Sequence, residues 1–403
     1  MKKFAFIGAG SMVFTRNLVM DLLHFEHFRD AELCLMDIDE KRLAYAEKCV
    51  EKVVRTMQVP AHITTTTDRR RALEGADGVV CTVFNGDTDI SKLEVDIPYQ
   101  FGVSMNIGDT RSVGGIFRAL RNIPLMLDIC RDIESLCPNA LFLNYTNPMG
   151  MLCKAMQTYS HVNVTGLCHS VQICSQHLLE SLDMEDKLEG RKELIAGINH
   201  MAWLLEIRDP QGNDLYPEIK RRAAARTEKH DDMVRYELMK RFGYYVTESS
   251  EHSAEYTPYF IKDKYPELIE RFNIPLDEYP RRCIKNIEKW ATQRDELTNN
   301  PNLRHELSRE YASHIMAAME TNTPYKIGGN VINTGLITNL PQNACVEVPC
   351  IVDKSGVTPT FVGDLPEQCA ALNRTNINEQ LLTIEAAKTL KKEYIYQAAL
   401  MDP

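Results

Sequence analysis

The sequence predicts an α/β protein: a Rossmann-like, doubly wound parallel sheet over residues 1–196, then an α+β domain over residues 197–403. Three observations carry that reading. Short apolar runs alternate with amphipathic helical stretches through the first half, the pattern of βαβ units around a parallel sheet. The first apolar run ends in a glycine turn, Gly8-Ala9-Gly10-Ser11. Beyond Asn199-His200 the texture changes to a strand, a turn and longer helices.

Lys3 to Gly8 reads as the first strand, and Met12 to about His24 as the helix after it. Gly8 and Gly10 permit the tight turn and let a pyrophosphate approach the helix N-terminus. Val13 stands in place of the third glycine of the dinucleotide fingerprint, so the motif is degenerate. The second strand, Ala31–Asp37, ends in an acid placed to grip a ribose hydroxyl. A carboxylate there repels a 2′-phosphate, which selects NAD over NADP. Asp37 and Asp39 have a plainer use as caps for the helix beginning near Glu40.

That helix runs to Met57, followed by a strand at Ala61–Thr66, a short helix at Arg69–Leu73 and a strand at Gly78–Phe84 ending in Asn85. A helix near Thr88–Phe101 and a strand-like Val103–Ile107 lead into the loop Gly108–Gly115, which holds Asp109 and Arg111 between glycines. Helix Ile116–Leu136 and strand Ala140–Asn144 close on Tyr145-Thr146-Asn147-Pro148. In such sheets ligands bind beyond the carboxyl ends of the strands. Asn85, the 109–111 loop, Asn147 and Cys168 all follow apolar strands, so they should gather at one edge. The second half reads as a strand at Met201–Arg208, a hairpin turn at Asp209–Asn213 and helices at Asp231–Phe242, Pro258–Phe272 and Pro280–Leu297. Strands near Tyr325–Ile332 and Ala344–Val352 and a helix from about Asn376 complete it.

A net charge of −10 over 403 residues gives no basic footprint for nucleic acid or an anionic membrane. No apolar run approaches the ~20 residues of a membrane span. The twelve cysteines lack paired spacing, which points to reduced thiols in a cytoplasmic enzyme.

Cys168 and His200 bring a soft sulfur and a borderline nitrogen, the donors of a divalent metal site. Two protein ligands leave most of a coordination sphere open, which suits catalysis.

With Gly8-Ala9-Gly10-Ser11, Asn144-Tyr145-Thr146-Asn147-Pro148, Cys168-His169-Ser170-Val171 and Gly197-Ile198-Asn199-His200 in view, the chain resembles family 4 of the glycoside hydrolases. Thr247–Pro258 and Ser308–Ser313 extend the likeness. The resemblance implies a lactate/malate-dehydrogenase-like fold and a glycosidase dependent on NAD and on Mn²⁺ or another divalent metal, with Cys168-His169-Ser170-Val171 similar to the α-galactosidase branch. It implies Cys168 and His200 as metal ligands and Tyr256 as the base at sugar C2. His169 would contact substrate or serve as leaving-group acid; Asn147, Asp109, Arg111 and Arg309 would contact substrate. Gly8, Gly10, Ser11, Asp37 and Asn85 would hold NAD. A homodimer or homotetramer is expected.

Other readings stay open: within the family an α-glucosidase or an α-uronidase, and outside it a non-enzymatic NAD-sensing module or one of two further chemistries. A 2-hydroxy-acid dehydrogenase shares the fold but needs a His/Asp relay and no metal. Glu248, Glu251 and Glu255, spaced by three and four, would share one helical face. They make either a conventional acid/base set or a solvated face.

Overall fold

The computed structural model describes residues 1–299 and 307–402; residues 300–306 and 403 of the expected second domain lie outside that description. Six parallel strands begin it: β1 (Lys3–Ile7), β2 (Glu32–Met36), β3 (His62–Thr66), β4 (Gly78–Cys81), β5 (Leu141–Asn144) and β6 (Val164–Gly166). Their order is β3-β2-β1-β4-β5-β6, which reverses between β1 and β4 and opens a crevice there.

Successive side chains of a strand point to opposite faces, and here both faces are covered. Phe4 and Phe6 of β1 join a core with Leu18 and Leu22 of helix Met12–His24 and Ile315 of helix Ala312–Thr321. Ala5 and Ile7 join a second core with Ala119, Ile123 and Met126 of helix Ser112–Leu136. Each large apolar side chain so buried contributes about 1.5–3 kcal/mol. That is why these strands read as continuous apolar runs rather than alternations.

The second half extends the same sheet. Next to β6 come β10 (Tyr325–Ile332), β11 (Cys345–Asp353), β7 (Lys192–Ile198), β8 (Met201–Arg208) and β9 (Tyr245–Val246), all antiparallel, with β12 (Gly356–Pro359) also paired to β11. The expected boundary between residues 196 and 197 therefore falls inside β7, whose pairing with β8 ties it to the second half. Only Asn199-His200 joins β7 to β8, and His200 takes a φ of 63°. A left-handed non-glycine residue costs about 1–3 kcal/mol and marks functional sites.

Several expected elements differ. Val103–Ile107 is not a strand: the N–H groups of Asn106, Ile107 and Gly108 donate to the Glu255 carboxylate at 2.9, 3.0 and 3.2 Å. The segment's hydrogen bonds go to a side chain instead of a ladder. The helix expected from Ile116 begins at Ser112, and Pro258–Phe272 is helical only over Glu267–Arg271. The Asp209–Asn213 turn forms but leads into helix Tyr216–Ala225. The late helix begins at Glu367, nine residues before the expected start, and another covers Lys392–Met401. Among the described residues no helix is long and apolar enough to cross a membrane.

Candidate active site

A cavity of about 510 Å³ lies beyond the carboxyl ends of β4, β5 and β6. Cys168, two residues past β6, and His200, in the β7–β8 turn, both line it, at 8% and 5% exposure. Their strands are not neighbours. β10 and β11 bridge them, with Asn330 opposite Gly166 and Glu347 opposite Gly197. Glu248, just past β9, joins the pair, and the three donor atoms lie within 4.8 Å of one another. Burial alone would lower the His200 pKa, but the Glu248 and Cys168 charges outweigh it and raise it to about 10. Burial pushes Glu248 the other way; the His200 and His252 imidazoles outweigh that and hold its carboxyl below the usual range. Sulfur, nitrogen and oxygen donors converging in one wall fit a divalent cation.

The turn after β1 fits a dinucleotide. Gly8 has a φ of 89°, and a Cβ there would lie 2.9 Å from the Thr82 backbone; at Gly10 it would lie 2.6 Å from Asp37 Oδ2. Neither position accepts a side chain, so the backbone stays bare for a phosphate. Asp37 accepts the Gly10 N–H at 2.8 Å and the Asp39 N–H at 2.9 Å. Asp39 alone caps the next helix, accepting from Lys41 and Arg42. Ser11 precedes helix Met12–His24 without a side-chain cap bond. This cradle sits at the rim, and Phe14, Thr82, Val83 and Asn85 carry its edge into the cavity. The Asn85 amide is partly committed, donating to the Arg121 carbonyl at 3.0 Å.

His169 lines the cavity, and its Nε2 meets Glu310 Oε1. That contact, the largest cause, raises the His169 pKa against the effect of burial. Next to Glu310, the Tyr311 hydroxyl accepts from the Cys168 N–H at 2.8 Å and donates to the Cys168 carbonyl at 3.1 Å. Two consecutive residues thus brace two consecutive site residues. Asn147 lines the cavity while its Oδ1 accepts the Met149 N–H at 3.3 Å, so its turn role and a ligand role coexist. Asp109 also lines the cavity, 3.6 Å from both Arg118 Nη1 and His252 Nε2. Burial opposes its ionisation, but His252 and Arg118 hold its carboxyl well below the usual range.

Three expected contacts stand outside the cavity lining. Arg111 does not line the cavity: its Nη2 pairs with Glu379 Oε2 at 2.5 Å and lies 3.6 Å from Asp402, at 2% exposure. A buried guanidinium requires such carboxylates, so it is committed to structure. Arg309 is exposed and outside the lining. Tyr256 is 1% exposed and also outside the lining. Its hydroxyl meets His200 Nδ1 at 3.1 Å, on the side of the ring away from Glu248. Burial, with the Asp109 charge, pushes its phenol well above 10. Its hydroxyl braces the His200 ring.

The three glutamates neither pair nor form a solvated face. Glu248 enters the metal-competent cluster, Glu255 anchors the 106–108 backbone, and Glu251 is half-buried. Sequence reasoning passed over Glu248 in that role, and over Arg118, His252, Tyr279 and Glu310. The i,i+4 spacing of Glu248 and His252 was a usable signal; nothing local marks Glu310, which is distant in sequence from His169.

The doubly wound sheet, nucleotide cradle and metal-competent cluster around one cavity define a class: dinucleotide-dependent metalloenzymes. The profile of the family 4 glycosyl hydrolases matches residues 3–184, and that of the family's C-terminal domain matches residues 195–403. The chain belongs to family 4 of the glycosyl hydrolases, as the resemblance implied. It is 55% identical to an α-galactosidase of Bacillus subtilis, over 100% of this chain and 93% of the relative. It is 36% identical to an α-galactosidase of Rhizobium meliloti, over 100% and 84%. The 6-phospho-β-glucosidase of Thermotoga maritima, solved with manganese, NAD⁺ and glucose-6-phosphate, superposes with a TM-score of 0.81 at 20% identity, over 100% of this chain and 93% of that one.

Proposed function

We propose that the chain is an α-galactosidase dependent on NAD⁺ and a divalent cation. The sugar assignment is carried by the 55% identity to the Bacillus subtilis α-galactosidase along the whole chain. The Cys168-His169-Ser170-Val171 run agrees with it. The α-galactoside is oxidised at C3, which acidifies its C2 proton. Loss of that proton expels the C1 substituent, water adds at C1, and C3 is reduced again, with no net redox. When bound, NAD⁺ would supply a reversible hydride acceptor and the cation, Mn²⁺ or another divalent metal, a Lewis acid.

The chain's residues do the rest. Cys168, as a thiolate, and His200 hold the cation. Gly8, Gly10, Ser11, Asp37 and Asn85 hold the nucleotide. Asn147 and Asp109 bind sugar hydroxyls, and His169 contacts the sugar and protonates the departing oxygen. For the C2 base, two tyrosines line the cavity. Tyr145 is pushed well above the usual range by burial and by the Glu310 charge, which opposes a phenolate. Tyr279 has the Arg118 guanidinium 5.3 Å from its ring centre; burial raises its hydroxyl to about 12 while Arg118 pulls it down. Burial and the Asp109 charge leave Tyr279 a phenol at rest, and we assign it the C2 proton on its place in the lining beside Arg118.

We also place the chain in a homodimer or homotetramer, supported by the exposed Leu93 and Ile97, one turn apart on helix Thr88–Gln100, and Phe101 just past its end. Arg309 is then free to reach a neighbour's cavity. Twelve free thiols support a reducing, cytoplasmic setting. Hydrolysis of an aryl α-galactoside, with and without NAD⁺ and Mn²⁺, tests the activity. Phenol release only with both, and no net NADH, is expected. Stoichiometric NADH would favour a 2-hydroxy-acid dehydrogenase, for which His252 and Asp109 offer the relay.

A further inference from the structure

Cys168 and His200 alone bring a single negative charge to a divalent cation, in a wall where both are nearly out of solvent. A buried, under-neutralised ion is costly. The structure supplies the missing charge beside them. We infer that Glu248 is the third protein ligand of the cation, through Oε2, and that its hard oxygen tilts the site towards Mn²⁺. The inference rests on the metal-dependent reading above and adds a ligand to it.

Three observations carry it. The Glu248 donor falls within 4.8 Å of both other donors, and Oε2 lies 3.3 Å from His200 Nε2. The second carboxylate oxygen is fixed from behind: Oε1 accepts the Ser249 N–H at 2.8 Å and lies 3.7 Å from His252 Nδ1. His200 is held in the same way, its Nδ1 engaged by Thr110 Oγ1 at 3.3 Å and the Tyr256 hydroxyl at 3.1 Å. Both side chains therefore turn one donor atom inward and have the other secured, the arrangement that orients metal ligands.

Charge and hardness follow from the set. A thiolate and a carboxylate together neutralise a divalent ion. Three protein donors would leave room on the cation for substrate oxygens and water. Thiolate and imidazole favour Zn²⁺ over Mn²⁺, whereas a carboxylate is the donor that suits Mn²⁺. Removing it should cost Mn²⁺ more than Zn²⁺.

The test titrates Mn²⁺ and Zn²⁺ into the full chain with NAD⁺ present, following free Mn²⁺ by electron paramagnetic resonance and Zn²⁺ by a competing chelator. Wild type, Glu248→Gln and Glu248→Asp are compared, with circular dichroism to verify folding. Loss of an orienting contact alone weakens metal binding roughly 10- to 100-fold. We expect Glu248→Gln to lose at least that for Mn²⁺ and clearly less for Zn²⁺. Glu248→Asp keeps the charge but shortens the reach, so it should also lose Mn²⁺ affinity. Unchanged Mn²⁺ affinity, equal losses for the two ions, or a wild-type-like Glu248→Asp would each overturn the assignment. A wild-type chain that binds neither ion would overturn the metal-dependent reading as well, whereas a failure confined to the variants leaves that reading standing.

Discussion

His169 shows what one side chain gains from its neighbours. Its Nε2 is held by Glu310, a residue 8% exposed, so the imidazole has one orientation and a raised pKa. A carboxylate behind a histidine fixes ring and tautomer. Glu310→Gln should lower kcat roughly 10- to 100-fold, and more for alkyl than for nitrophenyl α-galactosides, because a poor leaving group depends most on the proton. An equal loss for both substrates would reduce Glu310 to a structural support. Cys168 and His200 were legible because their motifs are short and their chemistry specific. Burial direction is invisible in a string, so the placing of Tyr256 and Arg111 was not legible: each stands outside the cavity lining, holding His200 in one case and paired to Glu379 in the other.

Among elements, the 106–115 segment carries Asp109 to the site by close packing. Glu255 gathers three of its backbone N–H groups, and a Cβ on Gly115 would lie 2.5 Å from the Thr110 carbonyl carbon. Gly115→Ala must therefore push the Thr110 backbone, at a cost of about 1–3 kcal/mol. Urea denaturation should show that loss, and KM should rise as Asp109 shifts. A wild-type midpoint and KM would show that the loop yields freely. The glycines were visible in the sequence, but the partner that turned an apparent strand into this loop was not, since Glu255 is remote along the chain. The helix start at Glu367 was hidden similarly. Asn373 and Asn376 interrupt its apolar pattern, yet both are buried, Asn373 Oδ1 accepting from the Trp203 indole at 3.2 Å.

At the scale of the whole molecule, the parallel half was legible because apolar strands and helices alternate there. Its fusion to the antiparallel half was not, resting on short contacts such as Asn330 with Gly166. Where helix Glu367–Thr389 packs against helix Ser112–Leu136, burial raises the Glu379 carboxyl above the usual range, against the pull of Arg111. A carboxyl with a raised folded pKa stabilises fully below its unfolded value of ~4.3, and that contribution is lost as the pH rises through the folded value. Thermal melts from about pH 6 to 9 should show wild type losing more stability than Glu379→Gln; parallel curves would contradict that assignment. The account as a whole turns on a proton leaving C2 of the sugar. The most direct measurement is hydrolysis of an aryl α-galactoside in D₂O, with the released galactose examined at C2 by NMR, for wild type and Tyr279→Phe. We expect deuterium at C2 from the wild-type reaction and little or no turnover or exchange in the variant. Galactose released at full rate with protium at C2 would contradict the oxidation–elimination route.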